Sequence, residues 1–380
     1  MAAYLASRAG VGLSAGQLVQ ALLAAASKGK GDRFRLCAAS ARSDSDRRLR
    51  EAFRPFGGEI RLRKIPMRLL VPVVDKCAWP NLETLFGPMD VFHAGPLLVP
   101  HAINAALVVT VYDITPIRFP HFHLASNRFT AAQLRRRLAR ADLVIVPSIN
   151  TRKDLETLGV PQEKVRTVPL GVSRSFRPLL QQDGRDVLRA IGLDREYLLA
   201  VGSLEPRKNL LRLLQAFRHL KDRCGIPHKL AVVGPRGWMD QAIYGSVQRL
   251  RLSDSVVFTG FVDEEVLNLL YNHATMLVYP SLYEGFGLPP LEAMAAGCPV
   301  VVSRVSSLPE VVGDAGLYFD PTDVDDIAGT VQRILESPEL RSRLADLGRS
   351  RSREFSWEKT ATATRMVYSE AIEIRRQNLT

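Results

Sequence analysis

The chain has 380 residues, 46% hydrophobic and 24% charged, a profile that excludes disordered and fibrous classes and suits two globular domains with cores that need no covalent staples. Its four cysteines (Cys37, Cys77, Cys224, Cys298) are scattered without a CxxC pair, which argues against a zinc site or disulfide framework and for a reducing compartment. The net charge of +12 is one-sided: residues 1–170 hold 25 Lys+Arg against 13 Asp+Glu, and residues 171–380 hold 26 of each.

Met1 to Ser7 lacks the basic start and long apolar core of a signal peptide, and no apolar run reaches the roughly 18 residues of a bilayer span, so a cytoplasmic protein is expected. Ala2–Ala6 reads as a short first strand, Gly10-Val11-Gly12 as a loop, Leu18–Ala26 as a helix and Leu36–Ala38 as the next strand. Asp44-Ser45-Asp46 has the Asp-x-Asp spelling of a metal site. It stands among Arg42, Arg47 and Arg48 with no strand before it, and reads as a charged helix face. Cations concentrate at Arg47, Arg48, Arg50 and Arg54, at Arg61, Arg63, Lys64 and Arg68, and at Arg135, Arg136, Arg137 and Arg140. They form either a solvated basic face or a contact for an anionic partner. The mixture of cations and apolar residues in Arg61–Leu70 suits lipid headgroups, so peripheral contact with the inner face of the cytoplasmic membrane is expected. Nucleic acid is not an expected partner, because the basic half carries no recognisable nucleic-acid-binding module.

Val91–Phe92, Leu107–Val111 and Leu143–Val146 read as further strands, and Val168 to Pro178 as a hinge. Beyond it, short apolar runs recur at Tyr197–Val201, Leu230–Val233, Val256–Phe258, Met276–Tyr279, Val300–Val302 and Leu317–Phe319. Helical patterns lie between them at Leu210–Leu220, Glu264–Asn272 and Leu291–Ala296. The alternation predicts an α/β fold with parallel sheets covered on both faces. A long final helix is expected over Ser356–Arg376.

The sharpest motif is Glu284-Gly285-Phe286-Gly287-Leu288-Pro289-Pro290-Leu291-Glu292, after the strand that ends at Tyr279-Pro280. The glycines allow close backbone approach, the prolines suit a helix start, and the N–H groups there favour an anion such as a diphosphate. Carboxylates on either side of that anion site suit hydroxyls at both ends of a nucleotide sugar. The second motif is Gly202-Ser203-Leu204-Glu205-Pro206-Arg207-Lys208-Asn209, a strand-to-helix turn where Arg207 and Lys208 can neutralise a leaving diphosphate.

These stretches resemble the retaining glycosyltransferases of family 4, which have the GT-B fold and a Glu-x7-Glu motif. The resemblance covers about residues 90 to 375. It implies two Rossmann-like domains facing a central cleft: an acceptor-binding domain at 1–172, a nucleotide-sugar domain at 173–355, and a helix at 356–380 that packs back on the first. By resemblance, Glu284 holds hydroxyls of the donor sugar and Glu292 the ribose. Gly285, Phe286, Gly287 and Leu288 supply loop amides, while Gly202, Gly234, Gly260 and Phe261 line the nucleotide. Gly10 and Gly12 resemble the family's N-terminal glycine loop on the acceptor side. Where the family often has His-Asp after a central strand, this chain has Tyr112-Asp113; a phenol is a hydrogen-bond donor and not a base near neutral pH. Tyr112 either positions substrate or packs at the strand end, and His93 is either structural or acceptor-facing. No metal or other cofactor is implied beyond a GDP- or UDP-linked donor.

The reaction implied is transfer of a hexose, mannose from GDP-mannose as first choice, to a glycan or lipid-linked acceptor in surface polysaccharide assembly. The alternatives are a GT-B-fold UDP-N-acetylglucosamine epimerase and a catalytically degenerate relative that binds nucleotide sugar or a partner.

Overall fold

The computed structural model describes residues 10–28, 32–40, 45–57, 59–77, 79–123, 130–180 and 184–379. The expected strand at Ala2–Ala6 and Asp44 of the Asp-x-Asp spelling lie outside them; Ser45 opens the helix Ser45–Phe53.

The chain divides into two compact units: Met1–Ile114, Phe129–Gly171 and Ser356–Thr380 form the first, and Thr115–Arg128 with Val172–Phe355 the second. In the first unit β1 (Arg35–Ala39) pairs with β2 (Glu59–Arg63), and β3 (Val91–Ala94), β4 (Ala106–Thr110), β5 (Leu143–Val146) and β6 (Val165–Thr167) form a sheet in that order. Every residue of β4 and β5 is buried, as a parallel strand covered on both faces requires. The helix Trp357–Leu379 covers one face, where Val367 and Ala371 pack among Ala106, Val108, Leu143, Ile145 and Val168. Gly171 permits this join, since a Cβ there would stand 2.2 Å from the Trp357 nitrogen.

The second unit carries β7 (Tyr197–Val201), β8 (Lys229–Val233), β9 (Val256–Gly260), β10 (Met276–Tyr279), β11 (Val300–Ser303) and β12 (Gly316–Phe319). They lie in the order β12-β11-β10-β7-β8-β9, with all pairings parallel. This is the doubly wound order, and the winding reverses between β7 and β10. Ligands of open α/β sheets bind outside the carboxyl ends of the strands at that reversal.

Two findings differ from the sequence reading. The second unit takes in the segment after Ile114. There the Phe119 ring meets the Tyr283 ring at 5.6 Å, the Arg118 guanidinium lies over Tyr283, and the Trp238 indole N–H donates to the Phe122 carbonyl. Half of the basic cluster at 135–140 is internal: Arg137 and Arg140 turn inward, and Arg135 and Arg136 stay exposed. Arg137 grips the Asp75 carboxylate (2.6 Å) and the Pro96 carbonyl, and Arg140 donates to the carbonyls of Val74, Asp75 and Val99. These cations tie the helix Ala131–Leu138 to the helix Met67–Lys76 and the loop after β3. Among the described residues no helix is long and apolar enough to cross a membrane.

Candidate active site

The loops after β7 and β10, the two strands at the reversal, carry the predicted charges. After β7 the chain enters a short turn, Pro206–Lys208, and Asn209, held at φ 56°, opens the helix Leu210–Cys224. Asn209 Nδ2 donates to the carbonyls of Pro280 (3.1 Å) and Pro321 (2.7 Å), which fixes this turn against the loop after β10.

Four charged side chains meet there. Glu284 Oε1 accepts from Lys208 Nζ (2.6 Å) and from the Tyr279 hydroxyl (2.9 Å), and its Oε2 lies 2.8 Å from Arg207 Nη1. Arg207 also donates to the Tyr283 carbonyl (2.9 Å) and to Glu205 Oε1 (2.6 Å). Burial would push the Glu284 carboxyl up, but Arg207 and Lys208 outweigh it and hold it down at about 2. Burial pulls the Lys208 ammonium below its usual range, with Glu284 opposing. Arg207 and Lys208 are therefore half of a buried quartet with two carboxylates.

The turn that presents Glu284 is built by the 306–307 loop. The Glu284 N–H donates to Ser306 Oγ (2.9 Å), and Ser307 Oγ donates to the carbonyls of Glu284 (2.9 Å) and Phe286 (2.7 Å). Gly287, at φ 116°, stands at the start of the helix Leu288–Ala296 without a side-chain cap, and a Cβ there would reach within 2.8 Å of Leu308. Gly285 is buried in the same turn. The Phe286 ring packs edge-on to Phe355 (5.9 Å). Glu292, one turn into the helix, is buried and accepts from the Tyr271 hydroxyl at 3.0 Å. Burial raises its carboxyl from 4.5 to about 7, Tyr271 pulling back and Glu264 adding to the rise.

The strand-end glycines are needed within the chain itself. Gly202 (φ 147°) leaves room for the Lys208 side chain, whose Cε would be 2.9 Å from a Cβ there. Gly234 (φ 146°) lets the Gly202 carbonyl approach, 2.1 Å from where a Cβ would stand. Close approach is needed between the ends of β7 and β8. Gly260 has open space, and Phe261 after it is 60% exposed.

The acceptor-side candidates lie in the first unit. His93 Nδ1 bonds the Tyr368 hydroxyl (2.7 Å) and Nε2 bonds Thr110 Oγ1 (2.6 Å). Burial lowers its imidazole to about 4, so it is neutral. Its geometry is that of a structural link between strand ends and the final helix. Burial pushes the Tyr112 phenol up, and Asp113 follows it in the loop after β4. Gly10 has a positive φ of 56° ahead of the helix Val11–Lys28, so Gly12 is a buried helix residue and not part of a loop.

Sequence reasoning passed over Glu205, Tyr279, Tyr271 and Ser306–Ser307. Glu205 was open to view, two residues before Arg207; the others join the site only through long-range contacts.

A family model described as Glycosyltransferase Family 4 matches residues 10–176, and one described as Glycosyl transferases group 1 matches residues 188–351. The O-antigen chain mannosyltransferase B of Escherichia coli is 36% identical over 281 residues, 73% of this chain and 74% of that protein. The chain belongs to glycosyltransferase family 4. The MMP alpha-(1->4)-mannosyltransferase of Mycolicibacterium hassiacum is 33% identical to this glycosyltransferase over 310 residues, 75% of this chain and 72% of that one. Among solved structures, Anabaena HepE in complex with UDP and glucose matches the glycosyltransferase with TM-score 0.73 at 16% identity over 96% of each chain, which shows the GT-B fold. This family 4 glycosyltransferase is a hexosyltransferase, and the epimerase reading is set aside.

Proposed function

We propose that this glycosyltransferase moves mannose from GDP-mannose to a hydroxyl of a glycan or lipid-linked acceptor, with retention of configuration, in surface polysaccharide assembly. The observation that carries the reading is the buried cluster of Glu284, Arg207 and Lys208 at the carboxyl ends of β7 and β10, where a doubly wound sheet binds its ligand. The names of the mannosyltransferase relatives support mannose.

In this reading the donor diphosphate lies against the amides of residues 285–288 and the two cations. Glu284 takes hydroxyls of the sugar and Glu292 those of the ribose. As the bond from the anomeric carbon to the phosphate oxygen breaks, charge grows on the leaving diphosphate, and preorganised cations and amides stabilise it. The acceptor oxygen bonds to the anomeric carbon on the same face, and its proton passes to the leaving phosphate. The cations supply the charge that a metal supplies elsewhere, so turnover in EDTA is expected. Peripheral contact of the basic first unit with an anionic membrane belongs to the same proposal.

The test is a donor panel of GDP-mannose, UDP-glucose, UDP-galactose, UDP-N-acetylglucosamine and dTDP-rhamnose, with and without EDTA, on wild type and Glu284→Ala. Stabilisation by GDP-mannose without metal, and turnover only when Glu284 is present, supports the reading. Preference for another donor replaces the sugar, and silence across the panel ends the proposal.

A further inference from the structure

The reading above places Arg207 on the leaving diphosphate, yet its guanidinium is held by Glu284 and the Tyr283 carbonyl through Nη1 and by Glu205 through Nη2. Glu284 has a task of its own toward the donor sugar. Glu205 has none so far, although it is 4% exposed and sits in the loop that carries both cations.

The backbone around Glu205 leaves little freedom to withdraw it. Its N–H donates to the Ser203 carbonyl (2.8 Å), and its carbonyl accepts from the Lys208 N–H (3.0 Å). Leu204 next to it pairs with Arg236 as a β-bridge, and a Cβ on Gly237 would come within 2.5 Å of the Leu204 carbonyl. The carboxylate is thus delivered to Arg207 by a rigid loop. A second carboxylate beside an anion site weakens it, because like charges repel strongly where water is excluded.

We propose that Glu205 is a positioning residue that tempers the hold of Arg207 on the diphosphate, so that the product nucleotide leaves after each transfer. With Glu205 in place, two cations face two carboxylates. Without its charge the quartet carries a net positive charge and binds most tightly the fully charged product that must be released, so that release, not transfer, limits turnover. The inference rests on the donor reading above.

The test uses Glu205→Gln, which keeps the size and an oxygen for Arg207 Nη2 but removes the charge, and Glu205→Asp, which keeps the charge and retracts it by one methylene. GDP and UDP are titrated by calorimetry, and steady-state rates are measured with the donor that wild type turns over, with and without added product nucleotide. E205Q is expected to bind the nucleotide about tenfold more tightly or better, with donor KM and kcat both falling and product inhibition deepening. E205D is expected to change in the same direction by less, and its sign decides the matter alone if E205Q does not fold. Nucleotide affinity unchanged in E205Q, or weakened in either variant, overturns the proposal and makes Glu205 a prop for Arg207. Wild type binding neither nucleotide overturns the donor reading instead, and this inference with it.

Discussion

Replacing Glu292 by glutamine is expected to stabilise the protein at pH 8 while disarming its donor site. The carboxyl is 8% exposed, and burial raises it from 4.5 to about 7. The folded protein therefore keeps a proton that the unfolded chain releases near pH 4.5. Between about pH 4.5 and 7 the folded state binds more protons than the unfolded one, so stability falls as pH rises. Above about pH 7 the ionised, buried carboxylate costs the folded state about 3 kcal/mol. Glutamine has no charge to desolvate and can still accept from the Tyr271 hydroxyl. Urea unfolding should thus show E292Q close to wild type below pH 5 and more stable by up to about 3 kcal/mol at pH 8. In the same protein the affinity for GDP or the GDP-linked donor should fall roughly ten- to a hundredfold, because hydrogen bonds to a carboxylate contribute about 1.5–3 kcal/mol. A stability difference that is the same at pH 5 and pH 8, or a variant less stable at pH 8, would refute the reasoning.

Four further outcomes are expected. Glu284→Gln leaves Arg207 and Lys208 buried beside Glu205 alone, and should cost about 3–5 kcal/mol in chemical unfolding. Added GDP should then raise the melting temperature more than it does in wild type, since the diphosphate replaces the lost charge; an equal or smaller shift counts against the cations as the anion site. Gly234→Ala drives a methyl into the Gly202 carbonyl and should abolish donor binding or folding, whereas Gly260→Ala meets open space and pays only for its φ of 73°, about 1 kcal/mol by denaturation. Trp238→Phe keeps an aromatic ring but loses the N–H bond to Phe122, so limited proteolysis should cut the 115–123 segment sooner, at a loss of about 1 kcal/mol. Flotation should carry the protein with anionic vesicles and not with neutral ones, less so in Arg61→Ser/Lys64→Ser; indifference to lipid charge ends the membrane proposal.

The strands of the second unit were legible because a strand buried on both faces is a short, continuous apolar run, and Met276–Tyr279 and Val300–Ser303 are entirely buried. β2 passed unread because Glu-Ile-Arg-Leu-Arg exposes every other residue, and its cations drew the eye to charge before alternation. β6 is three residues long, too short for any period. Gly10-Val11-Gly12 looked like a loop, since two glycines oppose helix by propensity, yet packing holds Gly12 and Gly16 buried in the helix Val11–Lys28. The arginines of 136–140 could not be placed without the fold, because Asp75, which gathers them, lies some sixty residues away.

The two motif glutamates show most plainly what spacing can convey. Eight residues apart, they announce two carboxylates flanking an anion site, and nothing in that spacing separates them. The fold does: Glu284 sits between two cations and is held ionised at about 2, and Glu292, buried with the Tyr271 phenol and with no cation among the described residues to offset that burial, rises to about 7. In the free protein the first is thus paid for by partners already present, and the second is left wanting hydroxyl donors. A ribose that brings them converts a destabilising carboxylate into a satisfied one. On this argument nucleotide binding to this transferase draws part of its driving force from relief at Glu292, and donor affinity should rise with pH through the range in which wild-type stability declines.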